Sequence, residues 1–414
     1  MSNTKESHVQ WLGEVPKNWR TLKLKFLCDI NTGSKDTQDK LPGGKYPFFV
    51  RSPHVESLDE FTHDEEAIMT AGDGVGVGKV FHYYEGKFAA HQRVYVFTKF
   101  KNTLGKYLYY YLMSNLKFEV LMGGAKSTVD SIRRPMLSEF PVVFPNFELQ
   151  KKIVRFLDRK IKQVNDLIFS KQNYIELIEE QRQSIITEAV TKGLNPNVKM
   201  KDSGVEWIGK IPEHWEIKKI KHITQVKRGA SPRPIDDQKY FDDDGEFAWV
   251  RIADVSKAGM YLNETLQVMS ELGASLSIKQ YPGDLFVSIA GTVGKPCISN
   301  IKCCIHDGFV YFPNYKYNKK FLYYIFACGQ SYRGLGKMGT QLNLNTDTIG
   351  EIKIPWPSAK EQEGIISKLE KDVNKVDKLV ELTNYQIEKL KEYRQALIYE
   401  AVTGKISVRD MEFD

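Results

Sequence analysis

The chain is a duplication. Trp11-Leu12-Gly13 with Pro16 and Trp19 returns as Trp207-Ile208-Gly209 with Pro212 and Trp215, and Glu188-Ala189-Val190-Thr191 returns as Glu400-Ala401-Val402-Thr403. The opening motif recurs at an offset of 196 residues and the closing motif at 212, so the second copy is longer by 16 residues between two fixed ends. A chain of 414 residues built this way is expected to form two similar halves of about 200 residues each and not one continuous core. Matched ends around a divergent middle give one frame that reads two different things.

Each half divides into a mixed globular part and one long helix. Ile153, Leu157, Ile161, Val164, Ile168, Lys171, Ile175, Ile178, Arg182, Ile185 and Ala189 step by four and three, which is coiled-coil spacing. Adding 212 gives Ile365, Leu369, Val373, Val376, Val380, Thr383, Ile387, Leu390, Arg394, Leu397 and Ala401, a copy of the first seam down to its polar interruptions. Pro145 and Pro357 precede the helices, and Gly193 and Gly404 follow them. At 1.5 Å per residue each helix should run about 65 Å. The globular parts carry short β-branched and aromatic runs (Lys45 to Val50, Lys79 to Tyr84, Arg93 to Thr98; Glu246 to Ile252, Asp284 to Ile289, Gly308 to Pro313) between Gly, Pro, Asn and Asp turns, so short strands should dominate there.

The expected fold class is therefore mixed α/β: two similar globular domains of short strands plus helices, separated by two long antiparallel helices that form a coiled coil, with a pseudo-twofold internal repeat. The divisions are residues 1–146 and 205–358 for the globular domains, 147–192 and 359–404 for the helices, 193–204 for a linker and 405–414 for a C-terminal tail. In this arrangement the C-terminus returns to the N-terminus and the globular domains stand at opposite ends of the spacer.

Composition narrows the function classes. With 42% hydrophobic and 27% charged residues the chain is ordinary globular material, and a net charge of +7 is a mild pointer to a polyanionic partner. Five cysteines without a C-x-x-C pair suit reduced thiols in a cytoplasm and not a zinc site. Met1 to Gln10 is polar and no run of about 18 apolar residues occurs, so no membrane partner is expected and a cytoplasmic location is.

The glycine-rich segment Gly72 to Lys79 fails as a P-loop, since Asp73 stands where the first glycine should and Val80 follows the lysine; Gly291 to Lys295 is followed by Pro296 and fails likewise. Both are expected to be tight turns whose amides, with Lys79 and Lys295, suit a DNA phosphate. His91-Gln92 and His306-Asp307 hold equivalent places before strands. A single histidine in such a place most often has a structural role, yet Gln92 suits adenine and Asp307 suits cytosine N4. Near the end of each globular part, Lys126, Ser127 and Thr128 with Arg133 and Arg134, and Thr340, Gln341, Asn343 and Asn345, form donor-rich loops fit for groove contact. Lys17, Arg20, Lys23, Lys25, Lys218, Lys219, Lys221, Lys227, Arg228 and Arg233 recur around both unit starts, as a phosphate-facing stripe would. The aromatic runs Lys106 to Tyr111 and Lys320 to Phe326 read as buried helix faces. Arg182 and Arg394, equivalent polar interruptions of the two seams, should mark pairing or docking points. The Asp/Asn-Pro-Pro-aromatic tetrapeptide of amino-methyltransferases, a G-x-S-x-G elbow and an H-E-x-x-H helix are all absent from the sequence.

With W-[IL]-G-x-[IV]-P-x-x-W opening each unit and E-A-V-T closing it, the chain resembles the specificity subunit of type I restriction-modification systems along its whole length. Gly283-Asp284-Leu285-Phe286-Val287-Ser288 with Gly291 to Gly294, and Ile354-Pro355-Trp356-Pro357 with Glu361-Gln362, look like family hallmarks; the first copy is looser, with Glu65 to Thr70 replacing the Gly-Asp-Leu stretch. The resemblance implies that each globular domain is a target recognition domain reading one half of a split, asymmetric duplex DNA site. It also implies that the helices set the gap and dock two methyltransferase subunits and, through them, restriction/translocase subunits. S-adenosylmethionine, ATP and magnesium would belong to those partners, leaving this chain non-catalytic with no cofactor or metal of its own. The intervals support different half-sites, for Gly33 to His91 spans 58 residues and Gly229 to His306 spans 77. Two other readings stay open: the target recognition portion of a methyltransferase enzyme, and a DNA-binding or interaction scaffold outside restriction-modification.

Overall fold

The computed structural model describes residues 4–122, 131–332 and 344–408. It divides into two compact units, Met1–Gln172 with Asn384–Asp414, and Asn173–Thr383. Each unit thus holds one globular part, the first half of the helix that follows it, and the second half of the helix from the other repeat.

In the first unit a six-stranded sheet has the order Asp29–Thr32, Val94–Thr98, His63–Ala71, Phe81–Ala90, Tyr46–Phe49, Val55–Leu58. All neighbours are antiparallel except Tyr46–Phe49, which runs parallel to the end of Phe81–Ala90 with Phe48 opposite Ala89. The last five residues of His63–Ala71 are all buried, so this strand is covered on both faces there and lacks the alternation that marks a half-exposed strand. The helix Gly105–Met122 closes the core with Tyr107, Leu108, Tyr111 and Leu112, spaced as one helical stripe and fully buried.

The second unit keeps this plan and breaks it at one place. Its five-stranded sheet runs Lys227–Arg228, Phe309–Tyr311, Leu285–Ser288, Pro296–Ser299, Tyr261–Leu262; a second, four-stranded sheet runs Gln267–Met269, Phe247–Val250, Cys303–Ile305, Ile278–Gln280. The long strand Phe81–Ala90 is represented by two shorter ones, Pro296–Ser299 and Cys303–Ile305, the latter parallel to Phe247–Val250 with Ala248 opposite Cys303. The extra residues lie between Val250 and Leu285, where two short helices, Ile252–Lys257 and Glu271–Ser275, and two short strands, Tyr261–Leu262 and Ile278–Gln280, are inserted around Gln267–Met269, the counterpart of Val55–Leu58. The helix Lys319–Ala327 buries Phe321, Leu322, Ile325 and Phe326 completely, as the aromatic run predicts.

The long helices span Phe147–Lys192 and Ala359–Thr403, and every seam position is buried or half-buried. Both begin the same way: Gln150 Nε2 donates to the Pro145 carbonyl at 3.0 Å, and Gln362 Nε2 to the Pro357 carbonyl at 3.1 Å, so a buried amide in the first turn ties the helix to its entry proline. Each also takes a lysine from the preceding aromatic helix, Lys106 on Asp158 at 2.8 Å and Lys320 on Glu370 at 2.6 Å. Within the first unit the helix halves run antiparallel, with Lys171 on Gln386 and Asn165 on Arg394. Within the second unit Arg182 meets Asp377.

The two halves of the repeat motif meet where each helix ends. Gly193 ends the first helix at φ +72°, and a Cβ there would stand 3.0 Å from Trp215 Cζ2. Gly404 ends the second at φ +74°, and a Cβ there would stand 2.7 Å from Pro16 Cδ and 3.0 Å from Trp19 Cζ2. The closing E-A-V-T motif with the glycine after it and the opening W-[IL]-G-x-[IV]-P-x-x-W motif therefore form one joint, made once by segments that follow one another and once by segments far apart in sequence. The fully buried Tyr107 seals the second joint, its hydroxyl 3.0 and 2.9 Å from the carbonyl oxygens of Val143 and Val402, one of which takes its proton. Gly404→Ala combines left-handed strain with this overlap and should lower stability by about 1–3 kcal/mol, read as the urea midpoint; an unchanged midpoint would show that the joint is loose.

Candidate nucleic-acid interface

The recurring element of each globular part is a glycine lodged against a histidine turn. A Cβ on Gly33 would lie 2.1 Å from the Ala90 carbonyl oxygen, and one on Gly229 would lie 2.2 Å from the His306 carbonyl oxygen, so only glycine lets the chain pass there. His91 Nδ1 accepts the Arg93 amide at 3.0 Å and His306 Nδ1 accepts the Gly308 amide at 2.9 Å. Burial first of all pushes both rings below the ordinary histidine pKa, with Arg51 adding to the effect at His91, which keeps Nδ1 free to accept. His91 is only 3% exposed. The histidines therefore hold the turns, and the residues beside them face outward. The His91 ring is buried and already engaged, which is the structural role expected of a single histidine in this place.

What stands beside them differs in charge between the units. In the first, exposed Gln92 donates from Nε2 to Asp36 at 2.7 Å on the loop after Gly33. In the second, Asp307 accepts from Arg233 Nη2 at 2.9 Å on the loop after Gly229, and Arg228 Nε donates to the Asp307 carbonyl at 2.5 Å. The same place in the frame joins an amide to an acidic loop once, and an acid to a basic loop once.

The first unit adds a cluster that the spacing did not single out. Asp73, in the Gly72 to Lys79 turn, accepts Arg51 Nη1 at 2.7 Å on one carboxylate oxygen and Arg93 Nη1 at 3.1 Å on the other. Partial burial pushes the Asp73 carboxyl up, but the two guanidiniums outweigh it and hold it below the usual range. The available signal was positional: Arg51 follows the strand Tyr46–Phe49 and Arg93 follows the His-Gln pair, yet nothing in one sequence says that the turn bearing Asp73 folds onto both.

The remaining predicted residues divide into open and engaged. Lys79, Arg133 and Arg134 are exposed. Lys295 is half-buried and donates to the Ser256 carbonyl at 2.7 Å, which ties down its turn. Asn345 caps the helix Thr346–Glu351 by accepting the Thr348 amide at 2.8 Å. Lys126, Ser127, Thr128, Thr340, Gln341 and Asn343 lie outside the described residues.

Much of the expected basic stripe is engaged as well. Lys23 and Lys25 both sit 2.5 Å from Glu139, and Lys219 and Lys221 both grip Glu351, the former at 2.7 Å. Donation from the two lysines lowers each glutamate from 4.5 to about 2. The depressed folded pKa means that whatever these forks contribute is present above about 4.5 and is lost as the pH falls toward 2. Carboxyl chemical shifts of Glu139 and Glu351 should titrate near 2; ordinary midpoints near 4.5 would show the lysines free for DNA.

Arg182 and Arg394 are spent inside the chain. Arg182 Nε lies 3.5 Å from Asp377 and its Nη1 3.5 Å from Glu179, while Arg394 Nη1 donates to Asn165 Oδ1. Since Asn165 and Asp377 stand 212 residues apart, as the two arginines do, the same cross-helix contact is made once with a carboxylate and once with an amide. Among the described residues no group of three or more His, Cys, Asp or Glu could hold a metal ion, and no helix is long and apolar enough to cross a membrane.

The comparison with known proteins agrees with this duplicated frame. The Type I restriction enzyme MjaVIII specificity subunit of Methanocaldococcus jannaschii is 23% identical over 99% of this chain and 97% of that protein. The Type I restriction enzyme EcoDI specificity subunit of Escherichia coli is 22% identical over 96% of this chain and 90% of that protein. A chain solved in work on complex assembly and conformational transition of the type I R-M system shares the fold, with a TM-score of 0.69 at 16% identity over 95% of this chain and 99% of that one. The family model of the type I restriction modification DNA specificity domain matches residues 16–177 and again residues 212–392, once per repeat and over most of the sequence; the chain belongs to that family.

Proposed function

We propose that this chain is the DNA sequence-recognition subunit of a type I restriction-modification complex, with each globular domain reading one half of a bipartite, asymmetric duplex site. The observation that carries the reading is the shared frame with opposite edge chemistry: Gln92 on Asp36 in one unit, Arg233 on Asp307 in the other. Two identical edges would suit a palindrome, whereas these two demand different bases. The long helices set the gap. They also offer docking surface to two methyltransferase subunits, through which restriction/translocase subunits join. Exposed Leu167, Phe169, Tyr385 and Tyr393 in the first unit, and exposed Tyr174, Leu177, Leu379 and Leu382 in the second, are the side chains that such partners would cover. Because Arg182 and Arg394 already cross between the helices, their part in docking is to hold the helix pair in register. S-adenosylmethionine, ATP and magnesium belong to the partner subunits, and the chain itself does no chemistry.

Duplex binding by the full chain should weaken steeply as salt rises, with a log-log slope set by the number of phosphates it neutralises. Incubation of the chain alone with duplex and S-adenosylmethionine should give no methyl transfer. Transfer above background would make it an enzyme, and salt-independent or absent duplex binding would make it a scaffold.

A further inference from the structure

Three separate segments of the first domain converge on Asp73: the end of strand Tyr46–Phe49 brings Arg51, the start of strand Val94–Thr98 brings Arg93, and the Gly72 to Lys79 turn brings the carboxylate. The convergence is built. A Cβ on Gly76 would lie 2.5 Å from the Arg51 carbonyl oxygen, so a glycine is needed for the turn to press against the arginine's own backbone. Gly74 stands at φ +75° beside the same arginine, where a side chain is disfavoured. The Arg51 and Arg93 side chains are 40% and 59% exposed, against 25% for Asp73, so the anion lies beneath two open cations.

We infer that Arg51 and Arg93, held on Asp73, are sequence-reading residues of the first domain and that the base they read is guanine; the inference rests on the DNA-recognition function proposed above. Each guanidinium spends Nη1 on Asp73, which leaves the edge formed by Nε and Nη2 for a planar, two-acceptor partner. Guanine O6 and N7 form that partner in the major groove. A phosphate is the poorer match, because the Asp73 carboxylate offsets one of the two cations and weakens their pull on an anion, but costs little beside a neutral base edge. Holding the fork in advance also removes much of the rotamer entropy that a free arginine loses on binding. Asp73 is then a positioning residue. The second domain has Arg251 at the place of Arg51, but no acidic residue in Gly291 to Lys295, so this device belongs to the first half-site alone.

The test is selection of bound duplexes from a randomised library on the full chain, with sequencing of the enriched pool. The wild type should yield two defined blocks, one containing guanine. Arg93→Ala and Arg51→Ala should each lower selection for a guanine in that block by about 10-fold or more while the other block stays as sharp, an internal proof of folding. Asp73→Asn should blur the same positions without abolishing binding. Arg93→Lys keeps the charge but not the fork, so it should lose the guanine and keep the salt slope. Should an alanine variant lose both blocks through misfolding, the Arg93→Lys result decides. Variants that bind more weakly to every sequence with an unchanged motif, or that change nothing, overturn the assignment while leaving the DNA-recognition function standing. A wild-type chain that enriches no sequence overturns both.

Discussion

Four residues inserted into each long helix, after Gln172 in the first and after Thr383 in the second, will leave both half-sites unchanged and lengthen the gap between them by about two base pairs. Those are the points at which both helices pass from one unit to the other. Four residues add about 6 Å at 1.5 Å each and turn the helix about 40° beyond a full revolution. Two base pairs of B-DNA add about 7 Å and turn by about 70°, so rise and rotation nearly match. The seam tolerates the change because it already holds such a step, at Ile153-Leu157-Ile161 and Ile365-Leu369-Val373. Binding at the original spacing should fall by about 100-fold or more, since several base pairs of one half-site are then misplaced together. Insertion into one helix only is expected to destabilise the protein without moving the gap, because the pairs Lys171–Gln386 and Asn165–Arg394 in one unit, and Arg182–Asp377 in the other, hold the two helices in register. Retention of the original gap by the double insertion, or new bases within a half-site, would mean that the helices are not a ruler.

Trp215→Ala and Trp19→Ala should each destabilise the chain by about 3–5 kcal/mol in urea unfolding, the usual cost of emptying a buried aromatic site. Trp215 and Trp19 are 1% and 3% exposed, and each closes a helix end through the glycine packed on it. The phenylalanine variants separate packing from polarity. Trp215 Nε1 donates to Glu361 at 3.0 Å, beside His214 Nε2 at 2.7 Å and the Ser358 hydroxyl at 2.7 Å. Partial burial pushes Glu361 up, but these donors outweigh it and hold the carboxyl at about 2. Trp215→Phe removes one donor and should return Glu361 part of the way toward 4.5, whereas Trp19 has Leu149 at the corresponding place and Trp19→Phe should cost only packing. Equal losses from the two phenylalanine variants would remove the carboxylate from the account of this joint.

The long helices were readable because their signal is one-dimensional: a seam repeated at 3.5 residues, bounded by proline and glycine, needs no knowledge of the rest of the fold. The duplication likewise marks the joint, although only the structure shows that Gly404 meets Pro16 and Trp19 as Gly193 meets Pro212 and Trp215. Strand His63–Ala71 is not legible in the sequence because it opens on His63-Asp64-Glu65-Glu66 and then becomes buried on both faces, so it has neither alternation nor a uniform apolar run. The candidate interface was less readable still. Lys23, Lys25, Lys219 and Lys221 look like a phosphate stripe until Glu139 and Glu351, more than a hundred residues away, are folded against them. Arg51, Asp73 and Arg93 look unrelated for the same reason. Periodicity reports which face an element buries; it is silent on which distant loop returns to that face.

The most direct test of the central claim is the sequence motif selected by the full chain from random duplex DNA. The expected result is two short defined blocks separated by an undefined gap of fixed length, the blocks not being inverted repeats of one another. A single continuous block, a palindrome, or no enrichment would contradict it.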